Sequence, residues 1–305
     1  MPAPIIRPKS NRRKQLALLA GSVLAAVFLL ELGVRGYEKA RHGWPFFGAP
    51  PTRHVVLDEE FGWLPQPATD KPGDTAAFLR FGDPDSTRLK VLIVGDSFTQ
   101  AVEVAPDKAY FSRLADMLPV EVFAIGALGY GTLQEHLLLD RWLDRIRPDV
   151  VVVQVCGNDY INNDHELESC SHVNRHLLRR PYLADDGRIV FRRPRDPLLG
   201  WLAPLGRVSR LCRLGLHQVA RIRAGYVPGT IEDAIMEAGA DHPGYQRAWK
   251  TTRTVFGRIA AQCGPRPVVV FPVEDNEPFY GGFRAIAREL GLEFWRVWRP
   301  PSTPR

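Results

Sequence analysis

Residues 150–155 read Val-Val-Val-Val-Gln-Val. A strand so uniformly apolar must be covered on both faces, because a strand with one wet face alternates apolar and polar residues. Such a strand needs a sheet sandwiched between helices. The neighbouring sequence supplies both. Residues 89–94, 120–125, 267–271 and 292–297 are short apolar strand patterns. Helical spacing occupies the intervals at 107–118, 132–146, 245–263 and around 279–290. Strand–helix repeats of this length predict an α/β fold with a doubly wound parallel sheet. Ligands of such sheets bind at the carboxyl ends of the strands.

Three of these strand ends carry chemistry. The first runs into Gly95-Asp96-Ser97 and presents a hydroxyl at the sheet edge. The second is followed by Gly126-Ala-Leu-Gly129-Tyr-Gly131-Thr, where glycines let the backbone approach a ligand and expose N–H groups. The third ends in Cys156-Gly157-Asn158-Asp159, which offers a side-chain amide. Taken singly, each reads as an ordinary turn or helix cap. Together they set a nucleophile, backbone donors and an amide at neighbouring strand ends, the set that acyl transfer requires.

These three blocks resemble those of the SGNH (GDSL) hydrolase superfamily, including membrane-anchored bacterial members. The resemblance covers about 89–297. It implies a flavodoxin-like three-layer fold and chemistry on ester or O-acyl bonds, with no cofactor and no metal. It also implies Ser97 as nucleophile, with the Ser97 and Gly129 N–H groups and the Asn158 amide as oxyanion hole. The family's base comes from an Asp-x-x-His motif after the last strand. Here that strand runs into Trp298-Arg-Pro-Pro-Ser-Thr-Pro-Arg305, and no histidine follows residue 242. The tail therefore reads as a truncated or frame-shifted end, and the general base is unassigned. His242, in Asp241-His242-Pro243, is one candidate. His165, His172 and His176 lie past Asn158, and nothing in their spacing selects one. Some related alginate-acetylation proteins carry Asp-x-His ahead of the serine, but neither His42 nor His54 follows an aspartate at that spacing. Without its base, a serine triad retains roughly 10³–10⁴-fold catalysis over water, so an impaired enzyme is expected.

The N-terminus bears on compartment. Residues 16–30 contain no charge, and Leu32, Gly33 and Val34 extend the run past Glu31. The total approaches the roughly 20 residues that cross a bilayer. Cations before the run keep that end in the cytoplasm and put the rest outside, in the periplasm of a Gram-negative cell. A cleaved signal peptide is the alternative, although Glu31-Leu-Gly-Val-Arg-Gly-Tyr is a poor cleavage site.

The net charge of +6 raises nucleic acid as a partner, but its distribution argues against it. Arg7, Lys9, Arg12, Arg13 and Lys14 precede the apolar run, and Arg296, Arg299 and Arg305 lie at the end. What remains is near neutral and has no phosphate-binding footprint. One internal stretch, 166–223, holds twelve arginines against five acids. It reads as a solvated insertion, or else as a surface for anionic lipid or acidic glycan.

The expected organisation is a basic N-terminus (1–14), a membrane anchor (15–36), a Pro- and Gly-rich approach segment (37–87) and a hydrolase-like domain (88–305). Aromatics of the approach segment are expected against that domain or near the membrane surface. The domain is interrupted by an arginine-rich insertion at about 161–243. Within the insertion, 198–222 reads as one amphipathic helix, serving as a lid or as a membrane-surface helix. Cys170 and Cys212 are the one candidate disulfide. Three functions follow. They are a serine esterase, an O-acetyltransferase or deacetylase acting on cell-envelope polysaccharide, and an inactive glycan- or lipid-binding module.

Overall fold

The computed structural model describes residues 12–48, 55–65, 77–171, 173–174, 178–195, 201–226 and 229–296. It divides into two compact units. One joins Met1–Pro51 to Leu198–Arg221, and the other joins Thr52–Pro197 to Ile222–Arg305.

The larger unit is built on five parallel strands. These are β3 (Leu89–Gly95), β4 (Val120–Gly126), β5 (Val150–Val155), β8 (Val268–Pro272) and β9 (Glu293–Phe294), in the order β4-β3-β5-β8-β9. Numbered along the chain, this is the flavodoxin-like order 2-1-3-4-5, and the winding reverses between β3 and β5. Alternate residues of each strand face opposite layers. Leu92, Val94, Val151 and Val153 join the larger core, beneath α4 (Thr132–Ile146), α10 (Pro243–Cys263) and α11 (Phe279–Leu290). Val91, Ile93, Val122 and Val152 join a smaller core with Phe111 of α3 (Tyr110–Met117). The valine run is therefore buried on both faces, as its composition requires.

Two short antiparallel ribbons flank the sheet. They are β1 (Val55–Asp58) with β2 (Gly62–Pro65), and β6 (Arg180–Leu183) with β7 (Ile189–Arg192). Of the two places expected for the approach-segment aromatics, Phe61, Trp63 and Phe78 take the first and are buried in the larger core.

The smaller unit contains α1 (Arg12–His42), whose leading part is long and apolar enough to cross a membrane and is unburied. Against its trailing half packs a helical hairpin, α7 (Ala203–Val208) and α8 (Arg210–Tyr226). One continuous helix was expected here. The chain instead breaks at Ser209, which is extended and whose hydroxyl accepts the Cys212 N–H at 3.0 Å. Glu31 supplies the missing partners at the start of α8. It accepts the Arg210 and Leu211 N–H groups and the Ser209 hydroxyl, each at 2.9 Å. Arg210 and Glu38 form a buried ion pair at 2.9 Å, and Arg213 reaches Glu38 at 2.7 Å. The expected Cys170–Cys212 bond is not formed, and all four cysteines are free thiols. Cys170 closes α6 (His165–Cys170), whereas Cys212 rides on α8 in the other unit.

Removing one member of a buried ion pair strands the other and costs about 3–5 kcal/mol. Glu38→Ala should therefore raise amide hydrogen exchange across α8 by about a hundredfold or more. Exchange rates equal to those of the parent chain would show that the pair does not hold the hairpin.

Candidate active site

The parallel register sets Gly95 of β3 against Gly126 of β4, and Val94 against Val153 of β5. Three adjacent strands thus end together at the point where the winding reverses. Ser97, Gly129 and Asn158 follow within two or three residues. The approach is close enough to demand glycine. A Cβ on Gly126 would lie 2.7 Å from the Gly95 carbonyl oxygen and 2.9 Å from that of Asp96.

Ser97 is the first residue of a single helical turn, α2 (Ser97–Gln100), and is half-buried. Asp96 caps that turn, its Oδ1 accepting the Phe98 N–H at 2.9 Å. The turn is fastened to β5 by Gln154, the one polar residue of the valine strand. Its Oε1 accepts the Asp96 N–H at 3.2 Å, the Thr99 N–H at 3.1 Å and the Thr99 hydroxyl at 2.8 Å. Among the described residues neither the Ser97 hydroxyl nor its N–H has a hydrogen-bond partner.

Gly129 sits at φ +75°, a conformation that favours glycine, and its N–H is likewise unpaired among the described residues. The turn that carries it is held from both sides. Gln100 Oε1 accepts the Leu128 N–H at 2.6 Å, and Trp63 Nε1 donates to the Leu128 carbonyl at 3.0 Å. Tyr130 donates its hydroxyl to the Trp63 carbonyl. Gln134, at the end of the Gly-Tyr-Gly-Thr-Leu-Gln run, donates to the Phe61 carbonyl at 2.7 Å and accepts from Arg180. Arg180 is fully buried and paired with Glu168 at 3.1 Å. Sequence reasoning missed Trp63, Gln134 and Arg180 as supports of this turn. The isolated glutamine in β5 was the one visible sign of the fastening around Ser97.

Asn158 opens α5 (Asn158–Asn163) and is half-buried. Its Oδ1 meets the Cys156 thiol, and its Nδ2 lies 3.4 Å from Asn162 Oδ1. Beneath it lies a cluster of acids. Cys156 Sγ is 2.9 Å from Asp96 Oδ2, and Asp159 Oδ2 accepts the Cys156 N–H at 2.8 Å. Glu135, in the first turn of α4, is fully buried, and among the described residues neither carboxylate oxygen has a hydrogen-bond partner. Burial pushes its pKa well up, and the nearby Asp159 and Asp96 carboxylates push it further. Asp159 is raised for the same reasons, burial first and then Asp96. Ionising either carboxyl makes ionisation of the other harder in so dry a place. Asp96, Cys156 and Asp159 hold potential ligand atoms within 4.8 Å of one another. Burial, and then the adjacent Asp96 and Asp159 carboxyls, push the Cys156 thiol pKa well up. Cys156 links the two aspartates, its thiol to Asp96 and its N–H to Asp159, while Asp159 Oδ1 has no hydrogen-bond partner among the described residues.

No described histidine is hydrogen-bonded to Ser97. His242 is the N-cap of α10, its Nδ1 accepting the Tyr245 N–H at 3.2 Å. His165 bonds the Arg193 carbonyl at 2.9 Å, and His136 bonds Gln262 at 3.0 Å. His54, His172 and His176 lie outside the described residues, as does the side chain of His42. Two cavities, of about 440 Å³ beside Trp249 and Tyr245 and about 690 Å³ beside Arg247 and Tyr182, are not lined by Ser97, Gly129 or Asn158.

A serine-bearing turn at the switch point of a 2-1-3-4-5 sheet places the chain among flavodoxin-like α/β folds. The family model described as GDSL-like Lipase/Acylhydrolase matches residues 93–304. The chain belongs to this family, and its fold is that of the SGNH hydrolases. Among solved structures it is similar to AlinE4, an SGNH-hydrolase family esterase. Identity is 11% over 68% of this chain and 76% of that one, with a TM-score of 0.34. It is also similar to BT4096, a gut microbial diltiazem-metabolizing enzyme. There identity is 14% over 71% of this chain and 38% of that one, with a TM-score of 0.32. No curated protein matches the chain.

The raised carboxyls give the site a pH signature. A folded state that binds a proton more tightly than the unfolded chain loses stability as pH rises above the ordinary carboxylate range. Glu135→Gln removes one such proton. Its Tm should fall less than the parent's between about pH 5 and pH 9. Parallel Tm curves for the two proteins would refute the buried-acid account.

Proposed function

We propose that this chain is a membrane-anchored, extracytoplasmic serine hydrolase of ester or O-acyl bonds. The observation that carries the reading is the meeting of Ser97, Gly129 and Asn158 at three adjacent strand ends, with the Ser97 hydroxyl and the Ser97 and Gly129 N–H groups left free of partners among the described residues. Ser97 Oγ attacks the ester carbonyl, the oxygen becomes an oxyanion, and the alcohol leaves. Water then cleaves the acyl-serine. The oxyanion is stabilised by the Ser97 and Gly129 N–H groups and by the Asn158 amide, one such donor being worth about 10²–10³ in rate. The α1 helix anchors the protein in the cytoplasmic membrane by a single span, with Arg12, Arg13 and Lys14 on the cytoplasmic side.

The base for Ser97 is unassigned, and the described histidines are engaged elsewhere. On p-nitrophenyl acetate, Ser97→Ala should abolish the activity and Asn158→Ala should lower kcat by about 10²–10³. Equal rates for the parent chain and Ser97→Ala would sink the proposal. With an acyl donor and a polysaccharide, an acylated glycan among the products would make the chain a transferase instead.

A further inference from the structure

The α7–α8 hairpin is fixed to α1 at a defined height. Glu31, which caps α8, directly follows the uncharged run 16–30. Arg35 donates to the Val208 carbonyl at 2.6 Å and to the Phe46 carbonyl at 2.9 Å. The hairpin thus rides on the stretch of α1 from Glu31 to Glu38, a rise of about 11 Å, which begins inside the last turn of the apolar run that Leu32, Gly33 and Val34 complete. The headgroup layer on each side of a bilayer is about 5–8 Å thick. A hairpin at that height lies at the membrane surface whenever α1 spans the membrane.

Its side chains suit that place. Trp201 is 72% exposed, Val208 68% and Phe47 80%, and Leu205 is also exposed. A soluble unit of this size gains nothing by leaving such groups in water, whereas an interface accepts a tryptophan and its aliphatic neighbours. The charges agree. Residues 31–51 and 198–221 hold seven lysines and arginines against two acids. Both acids are already consumed, Glu31 by Arg35 and the start of α8, and Glu38 by Arg210 and Arg213. The unit therefore meets a surface with unopposed positive charge.

We propose that the α7–α8 hairpin, with Phe47 beside it, is a second membrane contact that lies in the headgroup layer of an anionic bilayer. It rests on the reading of α1 as a membrane span. Its apolar groups enter the acyl boundary, and the net positive charge of the unit draws it to anionic lipid.

The test uses the full chain reconstituted in phosphatidylcholine vesicles with and without phosphatidylglycerol. Carbonate washing is done first, and release of the protein would overturn both the span and this proposal. On retained protein, tryptophan fluorescence is quenched by a lipid carrying a nitroxide high on its acyl chain, and separately by aqueous iodide. The difference between the parent chain and Trp201→Phe, a change at an exposed position, isolates Trp201. The expected result is a lipid-quenched, iodide-resistant component that is lost in Trp201→Phe and larger with phosphatidylglycerol. A Trp201 component quenched by iodide and not by lipid overturns the hairpin contact while leaving the span intact. Lipid quenching that is unchanged without phosphatidylglycerol overturns the anionic assignment.

Discussion

The close approach of Gly95 and Gly126 is the constraint on which the strand ends depend. With any side chain at Gly126, the β4 end would strike the carbonyls that lead into Ser97. The turn carrying Gly129 would then be displaced from its place next to the end of β3. The surrounding polar groups exploit that closeness. Gln154 fastens one side of the gap, Gln100 spans it, and Trp63 closes it from behind. The frame around Ser97 is thus a short-range assembly of backbone turns pinned by side-chain amides.

Beneath the frame, the molecule tolerates an unfavourable arrangement. Glu135, Asp159 and Asp96 crowd a dry interior where none has an arginine or lysine as a direct partner among the described residues. For Glu135 and Asp159 this burial favours the neutral acid, which is far cheaper to bury than a carboxylate. Cys156 mediates between Asp96 and Asn158 and stays a thiol for the same reason. The smaller unit meets its own buried charges differently. Glu38 takes two arginines and Glu31 takes the start of a helix, so those acids are matched by cations and backbone donors.

Much of the larger unit was legible in the sequence, because a parallel sheet is written as uninterrupted apolar runs. The five strands and four major helices were readable within a few residues of their ends, although β9 proved shorter than its apolar pattern. The motif residues at three strand ends were legible for the same reason, since position after a buried strand is a local property. What the sequence hid depends on distant partners. Arg180-Pro181 looks nothing like a strand, yet it forms one because Glu168 and Gln134 accept the arginine. Glu135 reads as a common first-turn acid, and its burial appears only when the strand ends close over it. The break at Ser209 interrupts a continuous apolar rhythm because Glu31, 178 residues earlier, accepts its hydroxyl.

The two halves of the sheet differ in how they can be assembled. Contacts across β3 and β5 join residues such as Asp96 and Gln154, separated by 58 positions. Closing β8 onto β5 joins Gly157 to Glu274, separated by 117 positions with the whole insertion between them. Loop-closure entropy disfavours the longer joining, and non-local parallel pairing is slow. The strands that bear Ser97, Gly129 and Asn158 form the more local half. During synthesis that frame can begin to organise while the chain supplying β8 and β9 is still emerging.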